Sequence, residues 1–305
     1  MTLGDPDLQT FAPAKVNLYL HVGAPDANGM HDLCSLMVFA DVGDRISAAP
    51  ADRLSLSIDG LFGQGLSAAE DNLVLRAAKA LAKAAGGAGV PWRLALDKQL
   101  PIASGLGGGS SDAGAALRLL RRLQAPQISD ADLEAIAASL GSDGAACLFG
   151  RPVIAEGRGE RLSPAPALPE LPAVLVNPGV ASPTGPVYRA FDAMGRFSAL
   201  APPQLPATFK SASEAAEVFA GLRNDLEAPA IALNPAIGEV IGALQAAPET
   251  LLARVSGSGA TCFALCGDAS AATELAGRLA REHAGWWVRA CRLGGPWTQP
   301  LLPAR

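Results

Sequence analysis

Residues 103–114 read ASGLGGGSSDAG. Glycines and serines crowd between a strand-like segment, PWRLALDKQLP at 91–101, and a helix-like one, SDAGAALRLLRRLQ at 111–124. Consecutive glycines let several backbone N–H groups converge on one anion, and a helix beginning near Ser111–Asp112 would add its partial positive end. Ser110 and Ser111 could give hydroxyls to phosphate oxygens or to a bound Mg²⁺. Two well-known phosphate loops do not fit. The GxxxxGK[ST] loop needs a Gly-Lys dipeptide, which the chain lacks. The GxGxxG fingerprint is approached by Gly105-Leu106-Gly107-Gly108-Gly109-Ser110, but serine holds the final place. The next segment also reads as a helix, where a dinucleotide fold needs a parallel strand. Two readings remain: a phosphate cradle without the Walker lysine, or a plain glycine turn with a serine helix cap.

Element types alternate before and after this loop. FAPAKVNLYLHVG at 11–23 places Val16, Leu18 and Leu20 on one strand face. A turn at Asn28–Gly29 leads to a strand through Leu36 to Phe39 and another near Arg45 to Ala48. RLSLSIDG aligns Leu54, Leu56 and Ile58, and PWRLALD aligns Trp92, Leu94 and Leu96. DNLVLRAAKALAKAAGG reads as a helix with Leu73, Ala77, Ala80, Leu81 and Ala84 on one stripe, ended by Gly86–Gly87. After the loop, Ala113, Leu117, Leu120 and Leu123 recur at helical spacing. ISDADLEAIAASLG at 128–141 is a further helix with Asp130 as N-cap. SPAPALPELP at 163–172 reads as a domain connection. Beyond it come a strand (PAVLVNPG), helices broken at proline (NDLEAPAIALNPAIGEVIGALQAA), two strands around a glycine turn (ARVSGSGATCFALCG), a helix (ASAATELAGRLAREHA) and a closing strand (WWVRACRL). That order suits an α+β sandwich of the ferredoxin kind. Residues 199–214 show no periodicity.

Composition narrows the classes. Of 305 residues, 50% are hydrophobic and 17% charged, with net charge −5, so a large core is available and a general nucleic-acid binder is not expected. The five cysteines are widely spaced and no histidine lies near them, so buried thiols fit better than a zinc site. The acidic, polar start does not read as a signal peptide, and no uncharged apolar run reaches membrane-spanning length. The expectation is a soluble, cytoplasmic protein.

PIASGLGGGSSDAGA at 101–115 resembles the second motif of the GHMP kinases, the galactokinase, homoserine, mevalonate and phosphomevalonate kinase family. APAKVNLYL at 12–20 resembles the first motif and VSGSGATCF at 255–263 the third. Three motifs in order span nearly the whole chain. NGMHDLCSLM, EDNLVLRAA, LGSDGAACLFGRPVIAEGRGERL, NPGVASPTGPVY and LRNDLEAP are similar to the branch whose substrate carries a cytidine diphosphate. The resemblance implies a two-domain α+β GHMP kinase fold. Residues 1–162 would form an N-terminal domain related to a ribosomal-protein S5 domain, and 163–305 a C-terminal ferredoxin-like sandwich. It implies ATP-dependent phosphorylation of a 2-hydroxyl, with Mg²⁺ arriving with ATP, no dedicated metal ligand, no nucleic-acid or membrane partner, and a monomer or weak homodimer.

The resemblance also implies roles. Gly105, Leu106, Gly107, Gly108, Gly109, Ser110 and Ser111 would hold the triphosphate. Asp143 in LGSDGAACL would take the hydroxyl proton, and Lys15 would stabilise developing negative charge beside it. Asn17 would grip a substrate hydroxyl or phosphate, and His31 the cytosine, with Tyr188 stacking on that ring. Met30 stands where the family has tyrosine in Gly-Tyr-His; its sulfur can touch a ring face but cannot complete an aromatic sandwich. Around Asp143, Ser142 and Gly144-Ala145 replace the family's Ala and Val-Pro. Asn72, Leu73 and Lys98 match positions near the adenine, or else are a helix cap and a surface charge. Ser258, Gly259 and Ala260, with Thr184, would line the site near the loop and the substrate diphosphate, while Asn224 and Asp225 read equally well as a helix cap. Alternatives are another small-molecule kinase of the family, a non-catalytic nucleotide-binding module, and an oxidoreductase.

Overall fold

Strands β1 (Gln9–Pro25) and β2 (His31–Pro50) form one long antiparallel hairpin in the computed structural model of the chain, which describes residues 8–87, 91–198 and 200–297. The acidic first seven residues and residue 199 lie outside the described residues. The hairpin turn falls at Asn28–Gly29, where Asp26 Oδ1 accepts from the backbone N–H groups of Asn28 and Met30, at 2.7 and 3.0 Å. Gly29 has φ +72°, a conformation that favours glycine.

The two strands expected at 36–39 and 45–48 are one strand. β2 keeps β1 along one edge and changes partner along the other: β5 (Val153–Gly157) at 33–37, β10 (Trp287–Gly294) at 39–40, and β4 (Trp92–Asp97) at 45–50. Asp41-Val42-Gly43-Asp44 imitates a turn, but its residues serve packing. A Cβ at Gly43 would sit 2.1 Å from the Ala12 carbonyl oxygen, so glycine lets β1 approach. Asp44 is fully buried in an ion pair with Lys98.

On the N-terminal side β3 (Ser55–Asp59) runs parallel to β4, and helices α1 (Leu73–Ala84), α2 (Gly108–Gln124), α3 (Asp130–Leu140) and α4 (Gly144–Phe149) lie in chain order around them. Ile46, Leu81, Leu94, Leu117, Leu120 and Leu133 are wholly buried in their common core. Burying each such side chain stabilises by about 1.5–3 kcal/mol. The buried face of α1 is Val74, Leu75, Ala77, Ala78 and Leu81; Ala84, expected on it, is exposed, because the helix ends within a turn of that position. The N-cap of α3 is Ser129, whose hydroxyl accepts from Asp132 N, and Asp130 is the first helical residue. Helix α2 starts at Gly108, three residues earlier than expected, so the loop's last glycines belong to its first turn.

In the C-terminal half, β7 (Leu171–Asn177), β8 (Thr250–Val255), β9 (Cys262–Cys266) and β10 lie in the order β10-β7-β9-β8, all antiparallel. This is the ferredoxin-like order that the sequence suggested. Alternation decides the two faces. Leu171, Ala173 and Leu175 pack toward Phe219 of α6 (Ala212–Ala220), whereas Val174 and Val176 pack toward α8 (Pro235–Gln245) and α9 (Ala269–Glu282). α7 (Glu227–Leu233) and α8 are separate, and Pro235 opens the second. The described part of that aperiodic stretch, 200–214, is not wholly irregular: Ser211 caps α6, and Phe209 is buried against Phe219. The proline-rich 163–172 segment begins in β6 (Arg161–Pro164), so a boundary at 162/163 falls inside a paired strand. Pairing of β10 with β2 carries the sheet across both halves, and one core cluster joins Val16, Leu18 and Leu36 to Leu171, Phe219 and Phe263.

Candidate active site

The two halves meet at a cleft of about 900 Å³. Its floor is the glycine loop. Gly105 has φ +77°, and a Cβ there would lie 2.2 Å from the Ser256 carbonyl oxygen. The loop therefore lies flush on the turn between β8 and β9. Cross-links fix it: Ser256 Oγ donates to the Gly105 carbonyl at 3.0 Å, and Thr261 N–H to the Ser104 carbonyl at 3.0 Å. At Gly107, the N-cap of α2 with φ +61°, a Cβ would press on the Lys15 side chain at 3.2 Å. No side chain caps this helix, so its first N–H groups, from Gly108 on, present their partial positive charge to the cleft. Gly108, Gly109 and Ser110 line it.

Two of the expected loop contacts differ. Leu106 is fully buried in the core, and only its carbonyl serves the site, accepting from Lys15 N–H at 2.8 Å. Ser111 is fully buried and its hydroxyl donates to the Pro13 carbonyl at 2.7 Å, so it ties α2 to β1 and is not free for phosphate. Ser110, one residue earlier on the helix, faces the cleft.

Lys15 and Asp143 come together. Lys15 Nζ, on a nearly buried side chain, lies 3.0 Å from Asp143 Oδ2 and donates to Asn17 Oδ1 at 2.9 Å. A buried ammonium is tolerable only when paired in this way. Asp143 immediately precedes α4 and its carboxylate makes no cap bond, which leaves it pointing at Lys15 and partly open to the cleft. Asn17 has both ends of its amide engaged, since Nδ2 donates to Ser35 Oγ at 2.7 Å. It is 1% exposed, borders the cleft and orients Lys15.

Lys98 is not a surface charge. It is 3% exposed and donates to Asp44 Oδ2 at 2.6 Å and Asp112 Oδ2 at 2.7 Å. Asp44 Oδ1 accepts from the N–H groups of Gln99 and Leu100. Burial, and then the Asp44 charge, push the Asp112 carboxyl up against the opposing pull of Lys98. The triad ties β2, the end of β4 and the second turn of α2 beneath the loop. Asn72 is the N-cap of α1, its Oδ1 accepting from Val74 N–H at 2.9 Å, and it also lines the cleft with Leu73. Asn72 is thus a helix cap that also faces the cleft.

The opposite wall is aromatic. His31 and Tyr188, the latter on α5 (Thr184–Met194), face each other with ring centroids 5.1 Å apart. His31 Nδ1 meets the Gly23 carbonyl at 2.9 Å. Burial, with a smaller contribution from the Asp143 charge, pushes the Tyr188 phenol up to about 12, so it keeps its proton near neutrality. Met30 is 47% exposed at the cleft mouth. Thr184 Oγ1 and Ser258 Oγ are 3.1 Å apart, and Ser182 Oγ donates to the Ser258 carbonyl at 2.7 Å. Gly259 packs beneath the turn, a Cβ there lying 3.2 Å from Ile237 and Val255 atoms; Gly257 and Ser258 are the residues that reach the cleft. Asn224 and Asp225 are scaffold. Asn224 Nδ2 donates to the carbonyls of Val255 and Gly257, and Asp225 Oδ2 accepts from Val22 N–H. Sequence reading missed Ser182, Gly257, Asp112 and Asp192 in this lining. Asp192 follows Tyr188 by four residues, a signal that needs α5 to be recognised first.

A glycine-floored helix terminus, a lysine–carboxylate pair at its edge and an aromatic slot opposite form one site for an anion and a ring-bearing partner. Comparison with known proteins agrees. Residues 72–151 match the family model for the GHMP kinases N terminal domain, and 205–285 that for the GHMP kinases C terminal domain. The chain is 61% identical to 4-diphosphocytidyl-2-C-methyl-D-erythritol kinase of Caulobacter vibrioides, over 94% of this chain and 99% of that one. It is 50% identical to the protein of the same name from Hyphomonas neptunium, over 96% and 99%. A crystal structure of 4-(cytidine 5'-diphospho)-2C-methyl-D-erythritol kinase superposes with a TM-score of 0.76 at 36% identity, covering 94% of this chain and all of that one. By its motifs, its two matched domains and its near full-length relatives, the chain belongs to the GHMP kinases.

Proposed function

We propose that the chain transfers the γ-phosphoryl group of ATP to the 2-hydroxyl of 4-(cytidine 5'-diphospho)-2-C-methyl-D-erythritol. The products are ADP and the 2-phosphate, in the non-mevalonate route to isoprenoid precursors. The observation that carries this is the Lys15–Asp143 pair, 3.0 Å apart, at the edge of the glycine loop. Phosphoryl transfer depends mostly on positioning and charge stabilisation. The N–H groups at the start of α2 and the Ser110 hydroxyl hold the triphosphate. Asp143 accepts the acceptor alcohol's proton late in the transfer, because an alcohol does not ionise unaided near neutral pH. The Lys15 ammonium, fixed by Asn17, stabilises charge developing on the transferring group.

Asn72 and Leu73 suit the adenine side of the cleft, while Lys98 supports the loop from beneath. His31, Tyr188 and Met30 suit the cytosine, and Thr184 and Ser258 the substrate diphosphate. Among the described residues no group of three metal-ligating side chains occurs, and the carboxylates nearest the loop are held by Lys98. That donor set fits Mg²⁺ carried in by the phosphates, with at most one or two protein oxygens such as Ser110. Bound there, the ion would neutralise phosphate charge.

The five buried free cysteines suit a reducing compartment, which favours the cytoplasm. No described helix is long and apolar enough to cross a membrane. The small-molecule chemistry needs no other macromolecule, and a monomer or weak homodimer suffices. Homoserine or mevalonate as acceptor is the runner-up, but neither has a base to occupy the His31–Tyr188 slot. Incubation with Mg-ATP and each acceptor in turn tests the reading: ADP should form only with the cytidine substrate. Turnover with homoserine or mevalonate instead would replace it.

A further inference from the structure

We propose that Arg118 is a positioning residue for phosphoryl transfer: its guanidinium ties β1 to α4 and so holds Asp143 in place beside Lys15, an inference that rests on the transfer reading above. Arg118 lies on α2, where Nη2 donates to the Phe11 carbonyl of β1 at 2.6 Å and Nη1 to the Leu148 carbonyl of α4. Lys15 stands four residues beyond Phe11 on β1, and Asp143 immediately precedes α4. One side chain thus bridges the two elements that carry the pair. The α2 surface beside it is shaped for close approach. A Cβ at Gly114, one turn before Arg118, would lie 3.0 Å from the Cys147 carbonyl oxygen and 3.0 Å from the Leu148 Cα. Helix α4 therefore rests directly on α2, with its last turn within reach of Arg118.

The two ends of the bridge are not held equally. β1 has its ladder with β2, the Ser111 hydroxyl on the Pro13 carbonyl, and the Leu106 carbonyl on Lys15 N–H. Helix α4 has six residues, well below the length of about 12–15 at which a helix persists by itself. Its last carbonyls have no helical partners, and a cation beside them is favourable. Leu148 supplies one of these carbonyls, so Arg118 both completes a bond and offsets the negative end of the helix. At the other end Asp143 makes no cap bond, so the backbone of α4 and the Lys15 contact set its place. With a rise of about 1.5 Å per residue, Asp143 lies about 7–8 Å from Leu148 along this short rod, and a shift at one end reaches the other. Stability alone explains Arg118 poorly. Burial pulls its guanidinium down to about 10, Nε has no partner, and among the described residues no carboxylate pairs with it. A desolvated charge that returns two carbonyl bonds is a weak stabiliser. What the planar fork does supply is fixed geometry between two acceptors.

A double-substitution cycle on the full chain tests this. Arg118→Met keeps much of the stem and removes both bonds. It should lower kcat about tenfold or more, since a displacement of about 1 Å can cost about 100-fold, while KM for ATP and for the cytidine substrate stays within about threefold. Arg118→Lys keeps the charge but not the fork that reaches both carbonyls, and its kcat should fall between the two. In an Asp143→Asn background either Arg118 substitution should change kcat by less than about twofold, because the group it positions is gone. Leu275→Ala, in the core under α9, is the structural comparison: its Tm should fall while kcat below the melting range stays at the wild-type value. Should Arg118→Met not fold, Arg118→Lys carries the same cycle. A wild-type kcat in the variant that carries the cycle, a loss confined to KM, or the same fold-loss with and without the Asp143 carboxylate overturns the proposal. If wild type turns over the cytidine substrate and the two losses simply multiply, this inference alone fails; if wild type shows no turnover, the reading beneath it fails too.

Discussion

The Lys15 ammonium sits between two oxygens from opposite sides of the cleft edge, 2.9 Å from Asn17 Oδ1 and 3.0 Å from Asp143 Oδ2. Asn17 is itself held by Ser35, so a chain of contacts from β2 through β1 fixes the ammonium before any ligand enters. Such preorganisation is what makes electrostatic stabilisation effective. Lys15→Met keeps much of the aliphatic stem and removes the charge. It should lower kcat about 10²-fold or more, with the KM for ATP changed far less. Steady-state kinetics check this, and a kcat close to wild type would take Lys15 out of the transfer step.

Gly105 tests how tightly the loop is seated. Alanine there meets the Ser256 carbonyl at 2.2 Å in a left-handed conformation, whereas Gly86, with φ +91°, has nothing within 4 Å of its would-be Cβ. Both substitutions carry backbone strain of about 1 kcal/mol or more, but only Gly105→Ala adds a clash. Gly105→Ala should lower Tm further than Gly86→Ala, by roughly 2–4 °C per additional kcal/mol, and should weaken ATP-analogue binding. Equal melting temperatures would mean that the loop can move away from the β8–β9 turn at little cost.

The Lys98 triad gives a pH signature. In the folded chain the Asp112 carboxyl is raised from an ordinary 3.8, because burial and Asp44 disfavour its charge. Across the window from the unfolded value up to the raised folded one, the folded chain keeps a proton that the unfolded chain has released. The contribution is fully present below the unfolded value and is lost as pH rises through the folded one. Asp112→Asn cannot titrate, so its unfolding free energy should decline less than that of wild type as pH rises from about 5 to about 8. Denaturant melts at several pH values measure this, and parallel curves would show that Asp112 does not bind the proton.

Met30 leaves one wall of the aromatic slot incomplete. With the base placed against Tyr188 as proposed, Met30→Tyr would add a second ring beside it, and a stacked aromatic is worth about 0.5–1.5 kcal/mol beyond its buried area. The KM for the cytidine substrate should fall several-fold, with the KM for ATP unaltered. An unchanged substrate KM would mean that residue 30 does not face the base.

Much of this was legible from local pattern. Period-two alternation marked β1, β3 and β4, Gly86–Gly87 marked the end of α1, and the glycine loop marked the proposed anion site. What local pattern hid was hidden for physical reasons. Glycines have poor helix propensity, so Gly108 and Gly109 read as loop although they open α2. The strand of residues 31–50 read as two pieces, broken around Asp41 to Asp44, because a buried aspartate looks like an exposed one until its partner is known, and Lys98 is 54 residues from Asp44. The same distance in sequence made Lys98 read as a surface charge. Asn17 and Ser111 are residue types that suit ligands, and only the fold shows that their polar atoms already have partners. Asp143 and Lys15 were brought together by family resemblance, since nothing in their own neighbourhoods links positions 128 residues apart.

The central claim is that this site moves a phosphoryl group to an alcohol whose proton Asp143 receives. The most direct measurement is kcat of Asp143→Asn with Mg-ATP and the cytidine substrate, read as product formation. The isosteric amide keeps the shape of the site and removes the base, so kcat should fall roughly 10²-fold or more while the substrate KM stays within a few-fold of wild type. A kcat equal to wild type would contradict the account.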